Sequence, residues 1–147
     1  MLNHSIMVVM FVMRLLYYNA LMKLIAIDFG SKRVGIASTD EAGEFALPRM
    51  VLPNDENLLR TVLDFIEENK IEKVVIGESK NLKGKMNPIM EDIVKFADAL
   101  GEDGLEVVFH SEVYTSMEAQ QIQGKTAMND ASAAALILKS YLDSQNN

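Results

Sequence analysis

Asp28 closes the apolar run Leu24–Ile27, and Phe29 and Gly30 follow it at once. A carboxylate at the end of a buried strand is costly unless it has a partner. A glycine just beyond it lets the chain turn tightly and lets a phosphate-bearing ligand come close. This acid could therefore hold a divalent cation or face a phosphate, although a plain turn-forming role would also suit it. Ser31, Lys32 and Arg33 come next and could touch substrate phosphates. Three more acids stand where an open α/β sheet gathers its sites, near the carboxyl ends of strands. They are Glu78 after Gly77, Glu112 in HSEVYTS, and Asp130 at the start of the last helical pattern. Acids from separate segments could converge on one or two magnesium ions. Carboxylate oxygens suit hard metals, and magnesium keeps waters that can become a nucleophile. A pair of such ions stabilises the attacking and leaving oxygens in phosphodiester cleavage. Thr115 and Ser116, at a predicted helix start, form a second candidate phosphate site, with a simple helix cap as the competing role for Thr115.

The elements around these residues read as one α/β unit. Residues 23–28 and 33–39 are predicted strands joined at Gly30, and 44–52 a third, with Pro48 implying an edge or a bulge. Turns near Gly30 and Gly43 imply antiparallel pairing. Asn54 is placed to cap a helix through about Asn69, with Leu58, Leu59, Val62, Phe65 and Ile66 on the helical period. Val74–Gly77 is a short buried strand, followed by the basic loop ESKNLKGKMNP. Pro88 suits the first turn of the next helix, whose buried face is Ile89, Ile93, Phe96, Ala97 and Leu100. Leu105–Phe109 is the fifth strand, Ser116 to about Gln123 a short helix with a Thr115/Glu118 capping box, and Asn129 to about Asp143 the last helix. In that helix positions 130, 133, 134, 137, 138 and 141 share a face, which aims Asp130 at the sheet. The order predicts a mixed five-stranded sheet with helices on its faces.

Composition narrows the chemistry. With 147 residues and 49% hydrophobic residues, one folded domain is the simplest expectation. There is no cysteine, so disulfides and thiolate metal sites are excluded. His4 and His110 lie too far apart in sequence for a zinc signature. The net charge of −7 argues against nonspecific nucleic-acid binding. Acids crowd Asp55–Glu68, however, while bases gather in loops at Lys32, Arg33, Lys80, Lys83, Lys85 and Lys125. Residues 1–21 look unlike the rest: the apolar run Ile6–Met13 is interrupted by Arg14 and is shorter than the ~20 residues that span a bilayer. We expect Met22 to be the natural start, with 1–21 an upstream extension and 22–147 the domain. An amphipathic anchor is the rival reading.

Four motifs now stand in order: DFGSKRVGIA, VVIGESKNLKGKMNP, FHSEVYTSMEA and NDASAAALILKSYLD. In this order they resemble the YqgF/RuvX family over about residues 22–143. That resemblance implies an RNase H-like α/β fold, a mixed five-stranded sheet with helices on both faces. It implies a cytoplasmic nuclease using Mg²⁺ or Mn²⁺, one or two ions, with the family's acidic site falling on Asp28, Glu112 and Asp130. Lys32, Arg33, Thr115 and Ser116 would contact substrate. The implied role is 5′-end processing of pre-16S rRNA, with ribosomal precursor particles as partners. Resolution of branched DNA (Holliday junctions) is the alternative, and a non-catalytic RNA- or ribosome-binding domain is another. No stable membrane partner is expected, and the chain would be a monomer or homodimer. An actin-like ATPase is disfavoured because the body is too short for two lobes. Two departures from the family pattern matter. Ser111-Glu112-Val113 stands where Asp-Glu-Arg is usual, and Gly77-Glu78-Ser79 where Gly-Leu-Pro is usual. Glu78 is the candidate replacement for the acid missing at Ser111.

Overall fold

The computed structural model describes residues 3–20, 22–78, 88–111 and 129–145. Five strands make one sheet: β1 (Leu24–Phe29), β2 (Arg33–Thr39), β3 (Ala46–Pro53), β4 (Lys73–Glu78) and β5 (Glu106–Ser111). The helices are α1 (His4–Ala20), α2 (Leu58–Glu68), α3 (Met90–Glu102) and α4 (Asn129–Gln145). The spatial order is β3-β2-β1-β4-β5. β1 pairs antiparallel with β2, and β2 with β3, while β4 runs parallel to both β1 and β5. The expected mixed sheet is therefore present, with β1 at its centre.

Alternation divides the core into two layers. Ile25, Ile27 and Phe29 of β1, with Val74 and Ile76 of β4, face α2 and α3. The apolar stripes of those helices are Leu58, Val62 and Ile66 on α2 and Met90, Ile93, Ala97 and Leu100 on α3. Phe29 meets Phe96 with ring centroids 5.3 Å apart, within the range of favourable aromatic pairing. Leu24, Ala26, Ala37 and Val75 face the other way, onto Ala134, Ile137, Leu138 and Tyr141 of α4. Small residues on both sides of that second layer let α4 lie close to the sheet.

Pro48 sits on the edge strand β3, as its missing N–H requires. The register slips beside it: Ile36 pairs with Met50 and Ala37 with Pro48, which leaves Arg49 as a bulge. Arg49 then donates to the Ser38 hydroxyl (2.7 Å) and the Thr39 carbonyl (3.3 Å). One expectation is corrected. Asn54 does not cap α2; the helix starts after Asn57, which makes no side-chain cap bond. The Asp55 carboxylate instead accepts the Asn57 N–H at 2.9 Å, and the Asn54 amide is used elsewhere.

Along α1 the residues Ile6–Met13 are exposed and add nothing to either core layer. Among the described residues no helix is long and apolar enough to cross a membrane. The predicted helix at 116–123, the link at 124–128 and the basic loop at 79–87 lie outside the described residues.

α4 is held at both ends. Near its carboxyl end Lys73 donates to the Tyr141 hydroxyl at 3.0 Å, and His110 Nε2 lies 2.8 Å from the Ser140 hydroxyl. The bond to Tyr141 holds the Lys73 ammonium above the ordinary lysine range, against the opposing effect of partial burial. At the amino end, a Cβ built on Gly35 of β2 would overlap the Asp130 carbonyl and come within 2.9 Å of the Ala131 nitrogen. Glycine is required there by the backbone of α4. Gly101, by contrast, has nothing within 4 Å of a built Cβ. Gly35→Ala should therefore destabilise the fold by about 1–3 kcal/mol, the usual cost of overpacking against groups that cannot yield. Gly101→Ala should be neutral or stabilising by up to about 1 kcal/mol. Urea unfolding midpoints of the two variants test the contrast, and equal midpoints would refute it.

Candidate active site

Asp28 is the penultimate residue of β1, half-buried at the carboxyl end of the central strand. Its register partner on β2 is Gly35. Directly opposed residues in an antiparallel pair project to the same face, so Asp28 faces the side on which Gly35 meets α4. Asp28 continues the parity of Leu24 and Ala26, which pack on α4. The first turn of α4 carries Asp130. Strand end and helix start are thus brought together by a glycine that leaves no gap between them.

The turn between β1 and β2 is built with similar economy. The Gly30 N–H donates to the Arg33 carbonyl at 2.9 Å. A Cβ on Gly30 would stand 2.5 Å from that same oxygen. Asn54 clasps the turn from outside: its side-chain amide donates to the Gly30 carbonyl at 2.8 Å. Its own N–H donates to the Lys32 carbonyl at 2.9 Å. Sequence reasoning read Asn54 as a helix cap and missed this role, because one amide side chain serves either purpose equally well.

The tight turn presents Ser31, Lys32 and Arg33 to solvent. Arg33 Nε lies 3.0 Å from Asp130 Oδ2, with side chains 66% and 30% exposed. A pair so open to water contributes ~0–1 kcal/mol, so it can be exchanged for another partner at little cost. Asp130 also gains from its place at a helix amino end, where the backbone dipole favours negative charge.

Glu78 ends β4 in register with Ser111 at the end of β5. It continues the parity of Val74 and Ile76, on the α2–α3 side of the sheet. Alternation therefore carries it away from the face that Asp28 shares with α4. Among the described residues no three acidic or histidine side chains come together to hold a metal. Asp28 and Asp130 are the predicted ligands inside the described residues. Glu112, Thr115 and Ser116 lie outside them. The oxygen donors of two aspartates suit a hard cation such as magnesium, which commonly binds through one or two carboxylates and keeps its remaining waters.

Comparison with known proteins covers the same frame. The sequence profile of the RuvX family, described as Holliday junction resolvase, matches residues 22–144. A protein of Desulforudis audaxviator named "Putative pre-16S rRNA nuclease" is 32% identical over 137 residues, covering 86% of this chain and 97% of its own. One of the same name from Bordetella parapertussis is 36% identical over 123 residues, covering 82% and 92%. Among solved structures, Thermus thermophilus RuvC superposes with a TM-score of 0.55 at 15% identity, covering 85% of this chain and 97% of that one. The Fowlpox virus resolvase bound to Holliday junction DNA superposes with a TM-score of 0.54 at 13% identity, covering 86% and 100%. The fold is RNase H-like, as the motif order implied.

The clasp on the turn has a measurable worth. Asn54→Ala removes the bond to the Gly30 carbonyl and leaves the backbone bond to Lys32. It should lower stability by about 1 kcal/mol, the net value of one partly buried hydrogen bond, read as a shift of the urea midpoint at constant slope. An unchanged midpoint would show that the turn holds itself.

Proposed function

The chain belongs to the RuvX family of RNase H-like nucleases, and from that premise we propose that it hydrolyses phosphodiester bonds with Asp28, Glu112 and Asp130 as ligands of a divalent metal. The observation that carries this reading is the contact at Gly35, which sets the start of α4 against the strand pair that bears Asp28. Magnesium or manganese held there, as one or two ions, would neutralise charge on the attacking and leaving oxygens. Asp28 offers its carboxylate from the central strand, where neighbouring strands fix the backbone. Asp130 offers its own from a helix start that cannot shift without colliding with β2. Lys32 and Arg33, projecting from the Gly30 turn, bind and orient the substrate phosphates, and Thr115 and Ser116 supply a second phosphate contact. With a metal held by Asp130, Arg33 would be free to leave that carboxylate and bind a substrate phosphate.

The substrate we infer is the precursor of 16S rRNA, processed at its 5′ end in the cytoplasm on ribosomal precursor particles. The names carried by relatives that align over nearly their whole length support this reading. Branched DNA is the second reading, favoured by the family description and by the resolvase folds that superpose on the chain.

The deciding measurement sets precursor rRNA beside four-way DNA junctions, with Mg²⁺, with Mn²⁺ and with EDTA. Cleavage of the rRNA only with metal is the expected result, and preferential cutting of the junction would favour the second reading. Asp28→Asn should reduce cleavage by more than the 10–100-fold typical of losing an outer-shell partner. Full activity in that variant would refute the metal site. Arg33→Ala frees Asp130 from its competitor. Magnesium should then bind tighter by at most about fivefold, the equivalent of an exposed ion pair, while cleavage falls because a phosphate contact is lost. Calorimetry showing weaker magnesium binding in Arg33→Ala would contradict the exchange.

A further inference from the structure

On the far side of the sheet from Asp28, α3 and β5 enclose an open groove of about 620 Å³. Its β5 wall is apolar: Val107 is half-buried and Phe109 is 40% exposed, with Leu105 just before the strand. Its α3 wall is acidic. Asp98 and Glu102 stand one helical turn apart and line the groove, and among the described residues no basic side chain lines it. The only base on α3, Lys95, lies 3.7 Å from Glu91. Between the two acids Gly101 leaves the wall bare, with open space where a side chain would be. Among the described residues β5 pairs with β4 alone, so its outer edge offers unpaired backbone groups. An open edge of this kind accepts an added strand.

We propose that this groove receives a basic, extended segment of a protein partner, which adds to the edge of β5 as a sixth strand. The chemistry of the walls defines the occupant. Alternate residues of an added strand face the same way. The row that faces α3 would carry both kinds of contact, an apolar side chain on Val107 and Phe109 and, two residues along in the same row, a lysine or arginine reaching Asp98 or Glu102. Gly101 lets that backbone approach the helix. The acidic wall repels phosphates, so nucleic acid is the wrong occupant here. The groove and the Asp28–Asp130 face lie on opposite sides of the sheet, so partner and substrate can be bound at once. The inference stands independently of the nuclease reading, because it uses none of the residues of that site.

The test uses the full chain and a fluorescent peptide of repeating Lys-Ser-Val-Ser, which sets lysine and valine in one row of an added strand. Anisotropy should show saturable binding that weakens as salt is raised. The double variant Asp98→Lys, Glu102→Lys should bind at least about tenfold more weakly, as expected when like charges replace a complementary pair. Phe109→Ala should weaken binding several-fold with the charges intact. Hydrogen exchange should show peptide-dependent protection in Glu106–Ser111. Thermal melts of both variants confirm that they fold. Each of four results would overturn the proposal: no binding of the peptide, binding unchanged by charge reversal, protection confined to another segment, or equal binding of the same peptide with glutamate in place of lysine. Displacement of the peptide by a short RNA would overturn it as well.

Discussion

The close approach of α4 to β2 is the constraint on which the rest of the molecule depends. Helix and sheet normally stand apart by the depth of a side-chain layer. At Gly35 that layer is absent, and the backbone of Asp130 lies where a Cβ would be. The alanines at 131, 133 and 134, all buried, continue the close packing along the helix. Further down, the larger Ile137, Leu138 and Tyr141 fill the space that opens toward β4 and β5. The helix is therefore inclined on the sheet, tight at its start and propped at its end by Lys73 and Tyr141. An acid in the first turn of such a helix cannot drift. The same glycine opposes Asp28 in the β1–β2 ladder, so one bare position fixes both carboxylates relative to each other.

Charge is arranged around this frame in a way that a net value of −7 conceals. Helices α2 and α3 carry the exposed acids Asp64, Glu67, Glu68, Glu91, Asp92, Asp98 and Glu102 on one side of the sheet. The β1–β2 turn presents Lys32 and Arg33 beside the Asp28–Asp130 end. Among the described residues, a chain that is acidic as a whole thus carries a basic turn at one end of the sheet and an acidic face on α2 and α3. Arg33 neutralises the Asp130 carboxylate through an exposed pair that contributes little to stability.

The sheet and the active face of α4 were legible because periodicity reports burial directly. Ala133, Ala134, Ile137, Leu138 and Tyr141 can share a face only if that face meets a core, and all five are buried. Pro48 pointed to an edge or a bulge for an equally direct reason, its missing donor, and both are present. Gly35 was harder. A glycine inside an apolar strand signals either a bulge or a close backbone approach, and choosing between them requires knowing what lies above it. Asn54 was misread because its local context, a polar residue before an apolar helical run, fits a cap. Its actual partner is the carbonyl of Gly30, distant in sequence. The Arg33–Asp130 pair was equally hidden, since nothing local in either segment names the other. What one sequence conceals is the meeting of segments, and the candidate site is made of such meetings.

The departure at Ser111 can be weighed on this basis. Glu78 and Ser111 are register partners at the ends of adjacent parallel strands, so Glu78 stands beside the position where the family pattern has an acid. Proximity alone does not make it a substitute. Ser111 has the parity of Val107 and Phe109, and Glu78 that of Val74 and Ile76, on the side of the sheet facing α2 and α3. Asp28 has the opposite parity and faces α4. A carboxylate at either position therefore starts on the opposite side of the sheet from Asp28. This sets Glu78 apart from Asp28 and Asp130.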